Sequence, residues 1–306
     1  MRGATVAGIV LIVALGPGSA CGGSTSAGAR QATPAAAAAP SATPSAVPSP
    51  QLRAVLVATQ LVVGTDRFPI GIVDQNTQVA DAAVHVRVFS GSGSSAQLKG
   101  EADAPYRGEG LEGHGLYVAR FRFDVPGAWL AEVSARRPDG SQGTTSLPFA
   151  VALGSAVPMV GQAAPRSNSV TAASVPDVSY IDSGQPPDDM HAISIADAIA
   201  QHRPTLVVFA TPAFCTSATC GPQVHAVQAL EPAYRDRLTF IHIEVYRNFK
   251  PDPARRQVSP TVLEWNLETE PWVFLIDRQG RIASVFEGAA ASDELGQAVD
   301  QMLAAG

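Results

Sequence analysis

Cysteine is scarce in this 306-residue sequence: there are three, and only Cys215 and Cys220 lie beyond the first 21 residues. Clusters of Lys and Arg are missing altogether, and the net charge is −6. A nucleic-acid binder needs a basic face to meet phosphates, so that class of partner is excluded. The apolar run at residues 4–15 is too short to cross a bilayer as a stable helix. No cofactor is expected. The length suits two medium domains with tails.

What is present begins with a leader. Met1-Arg2, the apolar run and the small residues up to Ala20 have the three-part layout of a secretory signal over residues 1–20. Gly18-Ser19-Ala20-Cys21 resembles the lipobox of bacterial lipoproteins, although Gly18 stands where that motif usually has a large aliphatic residue. The resemblance implies cleavage after Ala20, a lipid on Cys21 and attachment to a membrane outside the cytoplasm. The other reading is ordinary signal cleavage that leaves Cys21 free. With Cys21 lipidated, one pair remains, in a compartment where a disulfide can form. Residues 21–50 are nearly all Gly, Ser, Ala, Thr and Pro, a composition that cannot offset its ordering entropy, so they are expected to form a disordered tether.

Residues 51–153 alternate with period two. Val84, Val86 and Val88 alternate with His85 and Arg87; Tyr117, Ala119, Phe121 and Phe123 alternate with Val118, Arg120 and Arg122. Trp129, Ala131 and Val133 repeat the pattern, and turn residues such as Val125-Pro126-Gly127 and Pro138-Asp139-Gly140 separate the runs. A helical period is missing from the whole span. About seven half-buried strands in a β-sandwich are predicted. The strand-turn-strand stretch at residues 115–136 resembles the last hairpin of immunoglobulin-like modules of exported bacterial proteins, and the span has no cysteine and no cluster of polar catalytic groups, which favours an interaction or spacer role. His85 and His114 are read as surface side chains.

Residues 154–187 are again rich in Ala, Ser, Pro and Gly and are predicted to be a linker that drapes over the next domain. From 188 to 306 element types alternate: a helix at 194–201, a strand at 205–210, a helix at 223–234 and a strand at 238–245. A short helix near 261–266, a hairpin of 273–277 with 282–287 and a final helix capped by Ser292 complete an α/β layer. The strand Thr205-Leu-Val-Val-Phe-Ala210 empties into Thr-Pro-Ala-Phe-Cys215, and Cys220 follows after four residues.

This order resembles the thioredoxin fold. Phe209-Ala-Thr-Pro-Ala-Phe-Cys215 matches the family's strand, loop and first redox cysteine, and Glu270-Pro271-Trp272-Val273 looks like the stretch with a cis-proline before a strand. The resemblance covers about residues 190–306. It implies an extracytoplasmic, lipid-anchored thiol-disulfide oxidoreductase in which Cys215 attacks, Cys220 resolves, Pro271 shapes the groove, and Phe214 and Trp272 flank it. Implied partners are exported protein thiols or disulfides, and the membrane through the lipid on Cys21. The family places two residues between its cysteines where this chain has four. Gly221-Pro222 suits a helix start at Cys220, where the helix N-terminus favours a thiolate.

Three other readings stay open. The pair is a structural disulfide that clamps the loop, within a domain that only binds. Or the chain is peroxiredoxin-like, with Cys215 reducing a peroxide; here Thr211 lies four positions before Cys215, where that motif wants three. Or Cys215, Cys220, His225 and His242 handle copper. Trp265 and Trp272 are expected in the core, Arg255-Arg256 in solvent, and Glu268 and Glu270 have no assigned role.

Overall fold

The computed structural model describes residues 52–91 and 93–306. The expected signal, tether and lipid site at Cys21 lie outside the described residues. Nine strands build the first half: β1 (Arg53–Leu56), β2 (Gly64–Asp74), β3 (Thr77–Gln78), β4 (Ala83–Ser90), β5 (Gln97–Asp103), β6 (Tyr106–Arg107), β7 (Leu116–Phe123), β8 (Gly127–Arg136) and β9 (Gln142–Val151). They form two sheets, β1-β2-β7-β6 with β3 paired to β2, and β5-β4-β8-β9. Every pairing is antiparallel. The inner faces close over one core, giving a β-sandwich. The count exceeds the predicted seven because β3 and β6 have two residues each, too few to show an alternation.

Period two decides which side chains enter that core. Phe68, Ile70 and Ile72 of β2 meet Tyr117, Ala119, Phe121 and Phe123 of β7, and Val84, Val86 and Val88 of β4 approach from the other sheet. Phe68 packs edge-on against Phe121 at 5.7 Å, and Phe123 against Trp129 at 5.0 Å. The outer face of the β2-β7 sheet is also covered: Leu116, Val118 and Arg67 are buried there.

The second half is layered. Residues 154–187 cross it with two single 3-10 turns, Ala172–Ser174 and Val178–Tyr180, and bury Val157, Ala164, Asp182 and Ser183. The elements that follow are α1 (Ile195–Ala200), β10 (Thr205–Ala210), α2 (Cys220–Gln228), α3 (Glu231–Tyr234), β11 (Thr239–Glu244), β12 (Tyr246–Arg247), β13 (Gln257–Val258), α4 (Pro260–Glu264), β14 (Trp272–Ile276), β15 (Ile282–Glu287) and α5 (Ser292–Ala305). The main sheet has the order β11-β10-β14-β15. Strand β10 runs parallel to β11 and antiparallel to β14, and β14 is antiparallel to β15.

All six residues of β10 are buried, which explains its unbroken apolar run. Val207 and Phe209 face a core with α1, Val262 and Trp265, whereas Leu206, Val208 and Ala210 face a core with α2 and α5. Trp265 is fully buried between Phe209 and Phe274. The helix read at 223–234 is two helices, because Pro232 offers no N–H to continue the first. Ser292 is not the cap of α5. It is the first helical residue, the cap position is Ala291, and the Ser292 N–H donates to the Glu109 carbonyl of the sandwich at 2.9 Å.

That bond belongs to a broad junction between the halves. Leu111, Leu116 and Val118 of the sandwich pack with Ala226 of α2 and with Ala289 and Ala291. Gly110, at φ +75°, brings its Cα so close to α2 that a Cβ there would lie 3.3 Å from Ala226 and from the Ser292 hydroxyl. The Glu287 carboxylate accepts from Thr59 N–H at 2.9 Å, from the Thr59 hydroxyl, and from Gln60 N–H at 3.3 Å. Burial pushes the Glu287 carboxyl above its ordinary value, and these donors from Thr59, Gln60 and Thr269 offset only part of the rise. For an acid whose folded pKa is raised, stability is highest below the unfolded pKa and falls as pH climbs through the folded one. Urea denaturation between about pH 4 and 7 should therefore show wild type losing stability relative to Glu287→Gln as pH rises. Parallel curves would contradict it.

Candidate active site

β10 ends at Ala210, and the chain turns at once: Phe214 N–H and Cys215 N–H both donate to the Thr211 carbonyl, at 3.2 and 3.1 Å. A second turn, with Ala218 at φ +56°, returns the chain to α2 at Cys220. Cys215 and Cys220 are joined as a disulfide with Cα atoms 6.0 Å apart. The helix starts on Cys220 because Pro222, in the first turn, gives up an N–H that would lack a helical partner anyway. Gln223 fixes the helix sideways: its amide donates to the Ala290 carbonyl at 3.2 Å and accepts from Ala290 N–H at 2.7 Å.

The two sulfurs differ in environment. Cys220 is fully buried, whereas Cys215 is partly exposed. The Ser217 hydroxyl lies 3.2 Å from Cys215 Sγ and 2.8 Å from the Thr219 hydroxyl, forming a short hydroxyl chain beside the outer sulfur. Ser217 and Thr219 line a cleft of 380 Å³ together with Glu270 and Pro271, and the opposite wall is the sandwich, with Val57, Leu116 and His114. The Glu270–Pro271 peptide is cis, and the Pro271 carbonyl accepts from Gly288 N–H at 3.0 Å. Burial, with the nearby Glu244 carboxylate, holds Glu270 above its ordinary value. A larger concavity of 870 Å³ on the sandwich holds His85, which is bonded to Asp103 at 2.8 Å, and is lined by Ser134, Thr144, Thr145 and Ser146 but by neither cysteine.

The remaining sequence-predicted residues lie elsewhere. Trp272 is buried, stacked on Phe274 at 5.7 Å with its indole N–H bonded to Thr269, so it supports the sheet and does not line the cleft. Phe214 packs against Tyr246 and Phe249, at 5.9 and 5.5 Å, under the Arg256 guanidinium. Arg256 is thus stacked as well as solvated, because the loop folds back as the β12-β13 hairpin. The copper set is not assembled: His225 is exposed and bonded to Glu112 at 2.8 Å, and His242 is buried among carboxylates.

His242 is where the sequence reading differs most from the structure. Its alternation with Ile241 and Ile243 suggests a surface or partly packed ring, yet residues 182–191 cover it. Nδ1 lies 2.7 Å from Asp188 Oδ2, and Nε2 donates to the Ala210 carbonyl at 3.2 Å. His191 Nε2 lies 3.4 Å from Asp182 Oδ2 and 3.2 Å from Asp188 Oδ1. Burial alone would lower both imidazoles, but the facing carboxylates raise them, His191 to about 9. The same bonds overcome burial at the acids and hold Asp182 and Asp188 below the ordinary range. Ser183 ties this cluster to the cysteine loop, its hydroxyl accepting from Ala213 N–H at 3.1 Å while its own N–H donates to Glu244 at 3.0 Å.

A β-sandwich joined to an α/β layer, with a disulfide at a helix start and a cleft lined by residues of the same loop, is the class that fold and site define. No family model and no curated protein matches the chain. Among solved structures it is similar to the soluble domain of PmoD from Methylocystis sp. ATCC 49242 (Rockwell), at 14% identity and TM-score 0.23 over 30% of this chain and 75% of that one. It is similar also to the PKD domain of the human VPS10 domain-containing receptor SorCS2 (16%, TM-score 0.21, 44% and 98%) and to murine CRIg (13%, TM-score 0.21, 33% and 95%). Likenesses this slight set neither its fold nor its activity. Among the described residues no helix is long and apolar enough to cross a membrane.

Proposed function

We propose that the chain is an exported, lipid-anchored thiol-disulfide oxidoreductase, in which an immunoglobulin-like sandwich is docked to a thioredoxin-like domain. The observation that carries the reading is the Cys215–Cys220 disulfide at the start of α2, closing a loop whose Ser217 and Thr219 line a cleft together with Pro271. The order β11-β10-β14-β15, with α2 following the central strand, supports the thioredoxin-like assignment. In the reduced protein the Cys215 thiolate attacks a partner disulfide, forms a mixed disulfide and expels one partner thiolate. Cys220 then attacks Cys215 Sγ, closes the internal disulfide and releases the second thiol. The partner disulfide gains two electrons and the protein pair loses them. The sandwich wall narrows the approach, which suits an extended segment of an exported protein better than a broad surface.

The test is a redox titration of the full chain against glutathione or dithiothreitol buffers. Exchange requires a potential above about −300 mV, within range of extracytoplasmic thiol pools. A pair that stays oxidised well below that value is a structural clamp, and the proposal fails. Rapid peroxide consumption by the reduced chain would move it to the peroxidases instead.

A further inference from the structure

We propose that Asp182, Asp188, His191 and His242 form a binding site for one divalent transition-metal cation, with zinc the ion best suited to the donors. The four side chains are buried, and one donor atom from each lies within 4.8 Å of the others. Tetrahedral zinc with bonds of about 2.0–2.1 Å to nitrogen and oxygen sets its donors about 3.3 Å apart. The imidazole-to-carboxylate separations bracket that value: 3.4 Å and 3.2 Å from His191 Nε2, 4.0 Å and 2.7 Å from His242 Nδ1. Two carboxylates bring two negative charges into the interior, and a divalent cation that displaces the imidazole protons leaves that charge balanced. Two imidazoles with two carboxylates form a set that zinc accepts and that Cu(I), which prefers sulfur, does not.

The surroundings are built as metal sites are. A ligating histidine usually gives its other nitrogen's proton to a fixed acceptor, which sets the tautomer and aims the donor nitrogen. His242 does this, with Nε2–H on the Ala210 carbonyl and Nδ1 turned to the cluster. The carboxylates are held from behind by backbone: Asp182 accepts from Gly184 N–H at 2.7 Å and Asp188 N–H at 2.6 Å, and Asp188 accepts from Met190 N–H at 2.9 Å. A cleft of 40 Å³ between Ser169, Tyr180 and Tyr246 touches both His191 and His242, giving an ion a route in. The site stands under the cysteine loop, since Ala210 opens that loop and Ser183 bonds to Ala213 within it. Bound metal would tie residues 182–191, β11 and the loop floor together.

The full chain, oxidised so that Cys215 and Cys220 offer no thiols, is stripped with a chelator and titrated with Co(II), then with Zn(II). The expected result is one equivalent bound, with visible d–d bands of a tetrahedral nitrogen-oxygen site and no sulfur charge-transfer band, and a rise in Tm with zinc. Asp188→Asn and His191→Gln, each confirmed folded by circular dichroism, should weaken binding by at least about 100-fold. His242→Ala is the less useful variant because it opens a buried hole. Failure of the folded wild-type chain to take up either metal overturns the proposal, as does uptake that both variants retain. Neither result depends on thiol exchange, so the proposed activity is tested separately.

Discussion

Arg67→Ala should destabilise the chain by about 3–5 kcal/mol, more than any single surface substitution. One buried guanidinium makes four hydrogen bonds across the junction: Nε and Nη2 to the two Glu294 oxygens, both at 2.9 Å, Nη1 to the Glu287 carbonyl at 3.0 Å, and Nη2 to the Ala289 carbonyl at 2.8 Å. Removing it leaves Glu294 buried, with Arg120 at 3.8 Å as its nearest remaining cation, and strips two carbonyls of their donor. Arg67→Lys keeps the charge but not the planar fork, so it should recover only part of the loss. In the double variant Arg67→Ala with Glu294→Ala no unpaired charge is left, so its cost should be smaller than the sum of the two single changes. Urea unfolding followed by tryptophan fluorescence measures the four variants against wild type. A loss below about 1 kcal/mol, the value of an exposed pair, would show that the junction does not rest on this residue.

The consequence reaches the cleft. Arg67 holds the carbonyls of Glu287 and Ala289, which flank Gly288, and the Gly288 N–H holds the Pro271 carbonyl. The sandwich therefore braces the strand end beside Pro271, as well as supplying a wall of the cleft through Leu116 and His114. A sandwich whose sequence suggests an interaction or spacer role supplies residues to the cleft wall. The mechanical reason is plain in β7, where Leu116 and Val118 face the second half while Tyr117 and Ala119 face the sandwich core. Both faces of that strand are covered.

What could be read from the sequence was whatever local periodicity encodes. The buried run at β10, the cysteine loop and the hairpin of β14 with β15 depend on neighbours within a few residues, and each was found within two or three positions. The junction was hidden because Arg67 and Val118 occupy strand positions that normally face water, and only the folded partner reveals the second covering layer. The Asp182, Asp188, His191 and His242 cluster was hidden for a related reason. Three of its members lie in or beside a stretch whose Pro, Ser and Gly content reads as linker, and the fourth joins them across 54 residues of chain. The available signal was a histidine between two strand isoleucines, at a position that the alternation alone assigned to the surface or to partial packing.

The second large effect concerns the two cysteines, which should fail in opposite ways. Cys215 is the partly exposed sulfur, with the Ser217 hydroxyl beside it to bond a thiolate, so it is the one a partner disulfide can meet. Cys220 is sealed in the first turn of α2 and can reach only Cys215. Cys220→Ser should therefore keep the attack and lose the release, accumulating a mixed disulfide through Cys215 with a model disulfide peptide or exported proteins. Cys215→Ser should form no adduct at all, with exchange reduced to background. Non-reducing electrophoresis and mass spectrometry of the adducts distinguish the two. Equal trapping by both variants would make Cys220 as accessible as Cys215 and break the assignment of roles. Absence of trapping by either, in folded chains, would return the pair to the role of a clamp on the loop between β10 and α2.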